Sequence, residues 1–163
     1  MKETEYIQSK ITDEEELKYT LSHYRFKGQE IVFTNGCFDL LHRGHVEYLL
    51  EASELGDVMI VGLNSDNSVR KLKGPGRPLQ DENSRALILA SLSFVDHIIL
   101  FDEDTPINLI KFVQPDVLVK GGDYDPEEIV GSDVVMARGG KVKVIRYIPG
   151  FSTTGLIEKL RSV

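Results

Sequence analysis

The stretch that decides the fold runs over residues 31–50 and reads IVFTNGCFDLLHRGHVEYLL. It opens with three apolar residues, a short run typical of a buried strand. From Arg43 onward, Val46, Leu49 and Leu50 recur at helical spacing, which predicts an amphipathic helix. The polar and glycine-containing residues in between therefore connect a strand to a helix.

The rest of the chain repeats this alternation of strand and helix. Further short apolar runs lie at residues 58–63, 98–100, 117–119 and 142–145, and amphipathic segments separate them. Such a pattern is typical of a parallel sheet covered on both faces. It predicts an α/β fold with a Rossmann-like, doubly wound, five-stranded parallel sheet and helices on both faces. Ligands of such sheets bind at the carboxyl ends of the strands.

The N-terminal residues carry the signal of a separate helix. Thr12, followed three residues later by Glu15, makes a capping box, and apolar residues then recur at helical spacing. We expect residues 1–28 to form an extension with this helix, and residues 29–163 to form a single domain.

Composition bounds the classes of function. The chain has 163 residues, of which 41% are hydrophobic and 28% charged, as in a globular protein. Its formal net charge of -7 argues against a nucleic-acid partner. Cys37 is the one cysteine, which excludes an intramolecular disulfide and a cysteine-based zinc site. Neither a signal peptide nor an apolar run of membrane-spanning length is visible, so we expect a cytoplasmic protein without a membrane partner.

The sequence H-x-G-H, with His42, Gly44 and His45, lies where the first predicted strand gives way to its helix. Residues three apart share one helix face, and the unpaired N–H groups of a helix start attract anions. Glycine lets a phosphate approach the backbone, so the motif suits a nucleoside triphosphate. Alternatives remain: structural histidines, a zinc site completed by Asp39, or Cys37 as a nucleophile or as a buried structural thiol.

These residues carry a family resemblance. N-G-C-F-D-L-L-H-R-G-H at residues 35–45 resembles the signature of the cytidylyltransferase-like nucleotidyltransferase superfamily, and S-T-T at residues 152–154 is similar to its second landmark. L-K-G-x-x-R-P at 72–78, E-D-T-P at 103–106 and P-D-V-L-V-K-G-G-D-Y at 115–124 are similar to the adenylyltransferases that act on heptose 1-phosphate. Those enzymes are usually joined to a kinase half, so the resemblance implies a free-standing version here.

The resemblance implies transfer of AMP from ATP to D-glycero-β-D-manno-heptose 1-phosphate, giving ADP-heptose and pyrophosphate for lipopolysaccharide core biosynthesis. It also implies Mg²⁺ bound mainly through the ATP phosphates, and a homo-oligomer, with a dimer expected. One alternative is a cytidylyltransferase that uses glycerol 3-phosphate or another polyol or sugar phosphate. Tyr147 stands where those relatives carry arginine, which weakens that alternative. A nucleotide-binding module without turnover is a third hypothesis.

The resemblance also implies roles for individual residues, with no metal site formed by the protein itself. The expected catalytic residues are His42, His45, Lys71 and Lys73. The two lysines are expected to lie on a mobile loop. Those expected to bind the nucleotide are Thr34, Asn35, Gly36, Cys37, Phe38, Gly44, Arg85, Lys120, Gly121, Ser152, Thr153 and Thr154. Those expected to bind the sugar phosphate are Asp39, Asn64, Asp66, Gly122, Asp123 and Tyr124.

Overall fold

Parallel strands form a single sheet in a computed structural model that describes residues 2–146 and 149–162. The strands are β1 (Ile11–Thr12), β2 (Ile31–Gly36), β3 (Val58–Asn64), β4 (His97–Phe101), β5 (Val117–Gly121) and β6 (Lys141–Ile145). Their order across the sheet is β1-β4-β3-β2-β5-β6, and every pairing is parallel. The predicted α/β class with a doubly wound parallel sheet is confirmed.

The sheet has six strands among the described residues, whereas five were predicted. The additional strand, β1, is two residues long and pairs with Ile98 and Ile99 of β4 at the edge of the sheet. So short a segment carries no periodicity of its own. The predicted capping box at Thr12 is also wrong. Thr12 belongs to β1, and the Asp13 side chain caps the next helix by accepting a hydrogen bond from the Glu16 N–H.

Helices connect the strands. They are α1 (Glu3–Ser9), α2 (Glu14–Phe26), α3 (Arg43–Ser53), α4 (Asp66–Lys73), α5 (Glu82–Ala90), α6 (Ile107–Val113), α7 (Ser132–Ala137) and α8 (Thr153–Arg161). Side chains of Ser65, Asp81 and Ser152 cap α4, α5 and α8, because each accepts a hydrogen bond from an N–H of the first turn. Of the described helices, none has the length and apolar character needed to span a bilayer.

Apolar side chains fill both faces of the sheet. Leu49 of α3 and Leu89 of α5 belong to the core on one face, and Leu17 and Leu21 of α2, with Ile110 of α6, belong to the core on the other. The buried residues of α2 therefore pack in the same hydrophobic core as residues of the strands that follow. The division of the chain at residue 28 stays a prediction.

The strand order places the ligand edge of the sheet. From β2, the chain first moves outward to β3 and β4, and then returns to β5 and β6 on the other side of β2. The carboxyl ends of β2 and β5 thus border the point where the direction of winding changes, and a crevice opens there in folds of this kind. Residues 34–39 and 120–124 follow these two strands.

Candidate functional site

A cleft of about 550 Å³ opens at the carboxyl ends of β2 and β5. The predicted site residues that line it are Asn35, Gly36, Cys37, Phe38, Asp39, His45, Asn64, Lys73, Lys120, Gly121, Tyr124, Thr153 and Thr154. Most predicted residues thus come together although they are spread over more than a hundred positions in the chain. The other predicted residues lie beneath or beside the cleft.

The two histidines of H-x-G-H have different positions. His42 caps α3, with its Nδ1 accepting from the His45 backbone N–H at 3.3 Å, and it does not line the cleft. The His45 ring lines the cleft and stacks on His42 with ring centroids 3.8 Å apart. The Phe38 ring also contacts the His45 ring in a T-shaped arrangement, with 5.3 Å between the ring centroids. Phe38 adopts a positive φ of 44° there, a conformation that is uncommon outside glycine.

Burial makes both imidazoles hard to protonate. It lowers the pKa of His42, and burial together with the neighbouring His42 lowers the pKa of His45 to about 4. His45 is therefore neutral at pH 7. A neutral imidazole still carries one N–H, so His45 can donate a hydrogen bond to a phosphate oxygen without adding a positive charge.

Two helix N-termini meet at the cleft. Gly44, in the first turn of α3, packs so tightly that a Cβ atom there would lie 3.0 Å from the Cβ of Phe151 and 3.1 Å from the His42 ring. The Arg43 guanidinium also lies 5.5 Å from the centre of the Phe151 ring, just ahead of α8. Close packing between protein groups thus occupies the space that the sequence assigned to a phosphate at Gly44. The contact brings Thr153 and Thr154 of α8 into the cleft wall.

Lysines from two elements supply positive charge. Lys73 lines the cleft, but Lys71 does not, and it lies 3.8 Å from Asp102 as an exposed ion pair. Both lysines belong to the last turn of α4, so the predicted mobile loop is wrong. Lys120, at the end of β5, reaches Asn35 Oδ1 at 3.5 Å, and burial lowers its pKa.

Asp39 holds a neighbouring loop against the cleft. Its carboxylate is 2% exposed and accepts from the Arg77 side chain and from the N–H groups of Leu79 and Gln80. The distances are 2.7 Å to Leu79 N and 3.1 Å to Gln80 N. This carboxylate therefore orients the loop, and protein donors already occupy it. Arg77, which the sequence analysis did not assign, lines the cleft.

Arg85 lies below the cleft and is almost completely buried. Its guanidinium donates to the carbonyls of Cys37 at 2.7 Å, Asn64 at 2.8 Å and Gln80 at 3.0 Å, and to Asp66 Oδ1 at 2.7 Å. It thereby joins the ends of β2 and β3 to the loop before α5. The structure thus makes Arg85 a brace, not the phosphate contact that the resemblance implied, and Asp66 is its partner.

The remaining predicted residues support the walls. Thr34 is buried and shares a hydrogen bond of 2.5 Å with the hydroxyl of Tyr48, a cleft residue that the sequence analysis missed. Burial raises the pKa of the Cys37 thiol despite nearby cations, so the thiol stays protonated and is a poor nucleophile. Asn64 donates to Ser68 Oγ at 2.9 Å.

Gly122, Asp123 and Ser152 do not line the cleft. Asp123 is exposed and lies 3.8 Å from Arg146. The lining residues that the sequence analysis left unassigned are Tyr48, Leu72, Arg77, Asp104, Thr105, Pro106 and Val130. Five of them lie in residues 72–78 and 103–106, which resemble the heptose 1-phosphate adenylyltransferases. The resemblance of these segments is the signal that could have identified them. Tyr147 lies outside the described residues.

The wound parallel sheet, with a cation-lined cleft at its switch point, defines a Rossmann-like nucleotide-binding class. Within that class, the chain belongs to the cytidylyltransferase-like family, whose model matches residues 33–159. The superfamily resemblance drawn from H-x-G-H is thus confirmed.

Relatives of known name agree with this assignment. The chain is 55% identical over 152 residues to the bifunctional protein HldE of Syntrophotalea carbinolica, covering 93% of this chain and 31% of that protein. It is 56% identical over 153 residues to HldE of Caulobacter vibrioides, covering 94% of this chain and 32% of that protein. The chain therefore spans about a third of the length of these relatives.

Solved structures show the same fold. The lipopolysaccharide core biosynthesis protein of Thermoplasma volcanium is 32% identical, with a TM-score of 0.61 over 74% of this chain and 98% of that one. A pantoate-beta-alanine ligase of Francisella tularensis is 18% identical, with a TM-score of 0.57 over 94% of this chain and 78% of that one. The second similarity concerns the fold alone.

Proposed function

We propose that this chain transfers AMP from ATP to D-glycero-β-D-manno-heptose 1-phosphate, releasing pyrophosphate and forming ADP-heptose. The observation that carries the proposal is that the starts of α3 and α8, with Lys73 and Lys120, converge on one cleft at the switch point of the sheet. Similarity to HldE proteins and to a lipopolysaccharide core biosynthesis protein supports the heptose substrate and a role in lipopolysaccharide core assembly.

The reaction requires little covalent chemistry from the protein. A phosphate oxygen of the sugar phosphate attacks the α-phosphorus of ATP, a new P–O bond forms, and the bond to the β-phosphate oxygen breaks as pyrophosphate leaves. Negative charge develops on the α-phosphate and the leaving group, so catalysis consists of positioning and charge stabilisation. Neutral His45 would donate to the α-phosphate, Lys73 and Lys120 would neutralise charge, and the N–H groups of α3 and α8 would hold the triphosphate.

We also propose that Mg²⁺ enters with the nucleotide. Within residues 2–146 and 149–162, no group of three or more His, Cys, Asp and Glu side chains is placed to hold a metal ion. This donor set suits a cation bound mainly by phosphate oxygens and water, and Asp104 supplies a carboxylate at the cleft. When bound, Mg²⁺ would neutralise charge on the triphosphate. We further propose a cytoplasmic homodimer, in which residues 29–163 form the nucleotidyltransferase domain.

Pyrophosphate release tests the proposal. The protein is incubated with ATP, Mg²⁺ and heptose 1-phosphate, and in parallel with CTP and glycerol 3-phosphate in every combination. We expect turnover with ATP and the heptose phosphate. Turnover confined to CTP with glycerol 3-phosphate would establish the cytidylyltransferase alternative, and nucleotide binding without pyrophosphate release from any pair would leave the non-catalytic module.

A pair of histidine variants ties turnover to the cleft. His45→Ala is expected to lower kcat by about 10²-fold or more, in line with removing one donor to a transition state. His23→Ala replaces an exposed histidine of α2 and should leave kcat unchanged. Equal kcat values for both variants would contradict the role of His45.

A further inference from the structure

A small side pocket opens from the cleft on the face of the sheet opposite α3. It has a volume of about 170 Å³ and is lined in part by Asn35, Lys120, Tyr124, Glu128 and Ile129. Asn35, Lys120 and Tyr124 also line the main cleft, so the two cavities are continuous. Ile129 belongs to the apolar core that packs on this opposite face. A ligand in the side pocket would therefore touch groups that also reach the nucleotide.

The lining of the side pocket combines apolar and hydroxyl-binding groups. Tyr124 is 54% exposed and Val130 is 44% exposed, so both offer accessible surface to a ligand in the pocket. Glu128 is exposed at the same place, and no partner for its carboxylate occurs among the residues that the structure describes. A carboxylate accepts hydrogen bonds from hydroxyl groups, and an aromatic ring packs against the C–H face of a sugar.

Charge, and the position of the phosphate in each ligand, distinguish the possible occupants of the side pocket. Glu128 repels a polyphosphate, which is better placed beside Lys73 and the helix N-termini. Lys120 lines both cavities, so a ring that carries its own phosphate would place that phosphate next to this lysine, whereas a nucleoside base is separated from its α-phosphate by a ribose. A sugar 1-phosphate has its phosphate directly on the ring. The pocket has room for roughly five or six water molecules, about the size of a sugar ring.

We propose that this side pocket is the seat of the acceptor sugar, with Glu128 as the residue that binds its hydroxyl groups and Tyr124 as the surface on which the ring packs. The inference rests on the proposed function and extends it to named residues for the acceptor. Lys120 then contacts the sugar phosphate at the point where it meets the α-phosphate of ATP. Selectivity for a hydroxylated acceptor follows from Glu128 and not from the residues that hold the nucleotide.

Calorimetric titration tests this seat without requiring turnover. D-glycero-β-D-manno-heptose 1-phosphate is titrated into the full chain saturated with a non-hydrolysable ATP analogue. For Glu128→Gln we expect the Kd of the sugar phosphate to rise about tenfold to hundredfold, because a charge-assisted hydrogen bond is lost. Glu127→Gln, the matched control, changes an adjacent exposed carboxylate that does not line the pocket and should leave the Kd unchanged. The Kd of the ATP analogue should stay the same in both variants.

The outcomes separate this inference from the proposed function. Sugar phosphate that binds in a Glu128-dependent way without pyrophosphate release would sink the proposed function and leave the seat. An unchanged sugar-phosphate Kd in Glu128→Gln, or a weakened ATP analogue instead, would overturn the seat even if wild-type protein turns over. Absence of sugar-phosphate binding by wild-type protein would overturn it as well.

Discussion

Replacing Arg85 by methionine removes the guanidinium while keeping an unbranched side chain of similar shape. The side chain is 1% exposed, and its four hydrogen bonds measure between 2.7 and 3.0 Å. The variant leaves the carbonyls of Cys37, Asn64 and Gln80 without these donors, and Asp66 without its cation. Because removing one member of a buried ion pair costs about 3–5 kcal/mol, we expect Arg85→Met to lower the free energy of unfolding by that amount.

Urea denaturation followed by circular dichroism measures the change. Asp66 is 25% exposed and can be rehydrated, which places the expectation at the lower part of that interval, about 3 kcal/mol. A domain with a stability of about 5–15 kcal/mol then remains folded at low temperature. Arg70→Met on the exposed face of α4 is the control and should change the free energy of unfolding by less than about 0.5 kcal/mol.

The same variant decides between a brace and a phosphate contact. If Arg85 bound phosphate directly, Arg85→Met would raise the KM for ATP while the urea midpoint stayed close to that of wild-type protein. A loss of unfolding free energy below about 1 kcal/mol together with a weakened ATP interaction would refute the structural assignment. Arg85→Lys, which retains the charge but offers fewer and differently placed donors, should be intermediate in stability.

Two further predictions concern the lysines and the histidine of the cleft. Lys73→Ala should lower kcat/KM for ATP by about tenfold or more because a cation at the phosphates is lost, whereas Lys71→Ala should change it less than twofold; equal losses in steady-state kinetics would contradict the placement of these lysines. Because the pKa of His45 is lowered from its ordinary value of 6.5 to about 4, the unfolded chain binds this proton first, so the unfolding free energy should fall as pH decreases from about 6.5 towards 4. The His45 contribution is on the order of 1–3 kcal/mol between urea titrations at pH 7 and pH 4.5, and His45→Gln should reduce the pH dependence by that amount; an unchanged slope would contradict burial of a neutral ring.

The alternation of strands and helices was readable because hydrophobic periodicity is a local property of the chain. The caps at Ser65, Asp81 and Ser152 follow from the same local chemistry. β1 was missed because two residues cannot show a period. Both Thr12 and Asp13 can cap a helix, and the pairing of Thr12 with β4 decides between them.

The site was predictable in outline but not in its partners. Lys71 and Lys73 are two residues apart, and such residues point about 200° apart on a helix, so only one can face the cleft. Because both lysines were predicted to lie on a loop, their opposite directions were not predicted. Arg85 looked like a free cation because its carbonyl partners come from other elements, whose proximity depends on the tertiary fold.

Asp39 and Arg77 show the same limit across a longer separation. They are 38 positions apart, and no local pattern indicates that one neutralises the other. Tyr48 left a weaker signal: it lies three residues after His45, and therefore on the same helix face, with a hydroxyl that needs a partner when buried.

The contact between Gly44 and Phe151 sets the spacing between the starts of α3 and α8, the two helix ends proposed to bind the triphosphate. A single methyl group at position 44 would meet the Cβ of Phe151 at 3.0 Å and act as a wedge between the starts of α3 and α8. The two helix starts would then lie farther apart, and a polyphosphate could not contact both of them equally well. The width of the cleft between these helices therefore depends on the absence of a Cβ atom at Gly44.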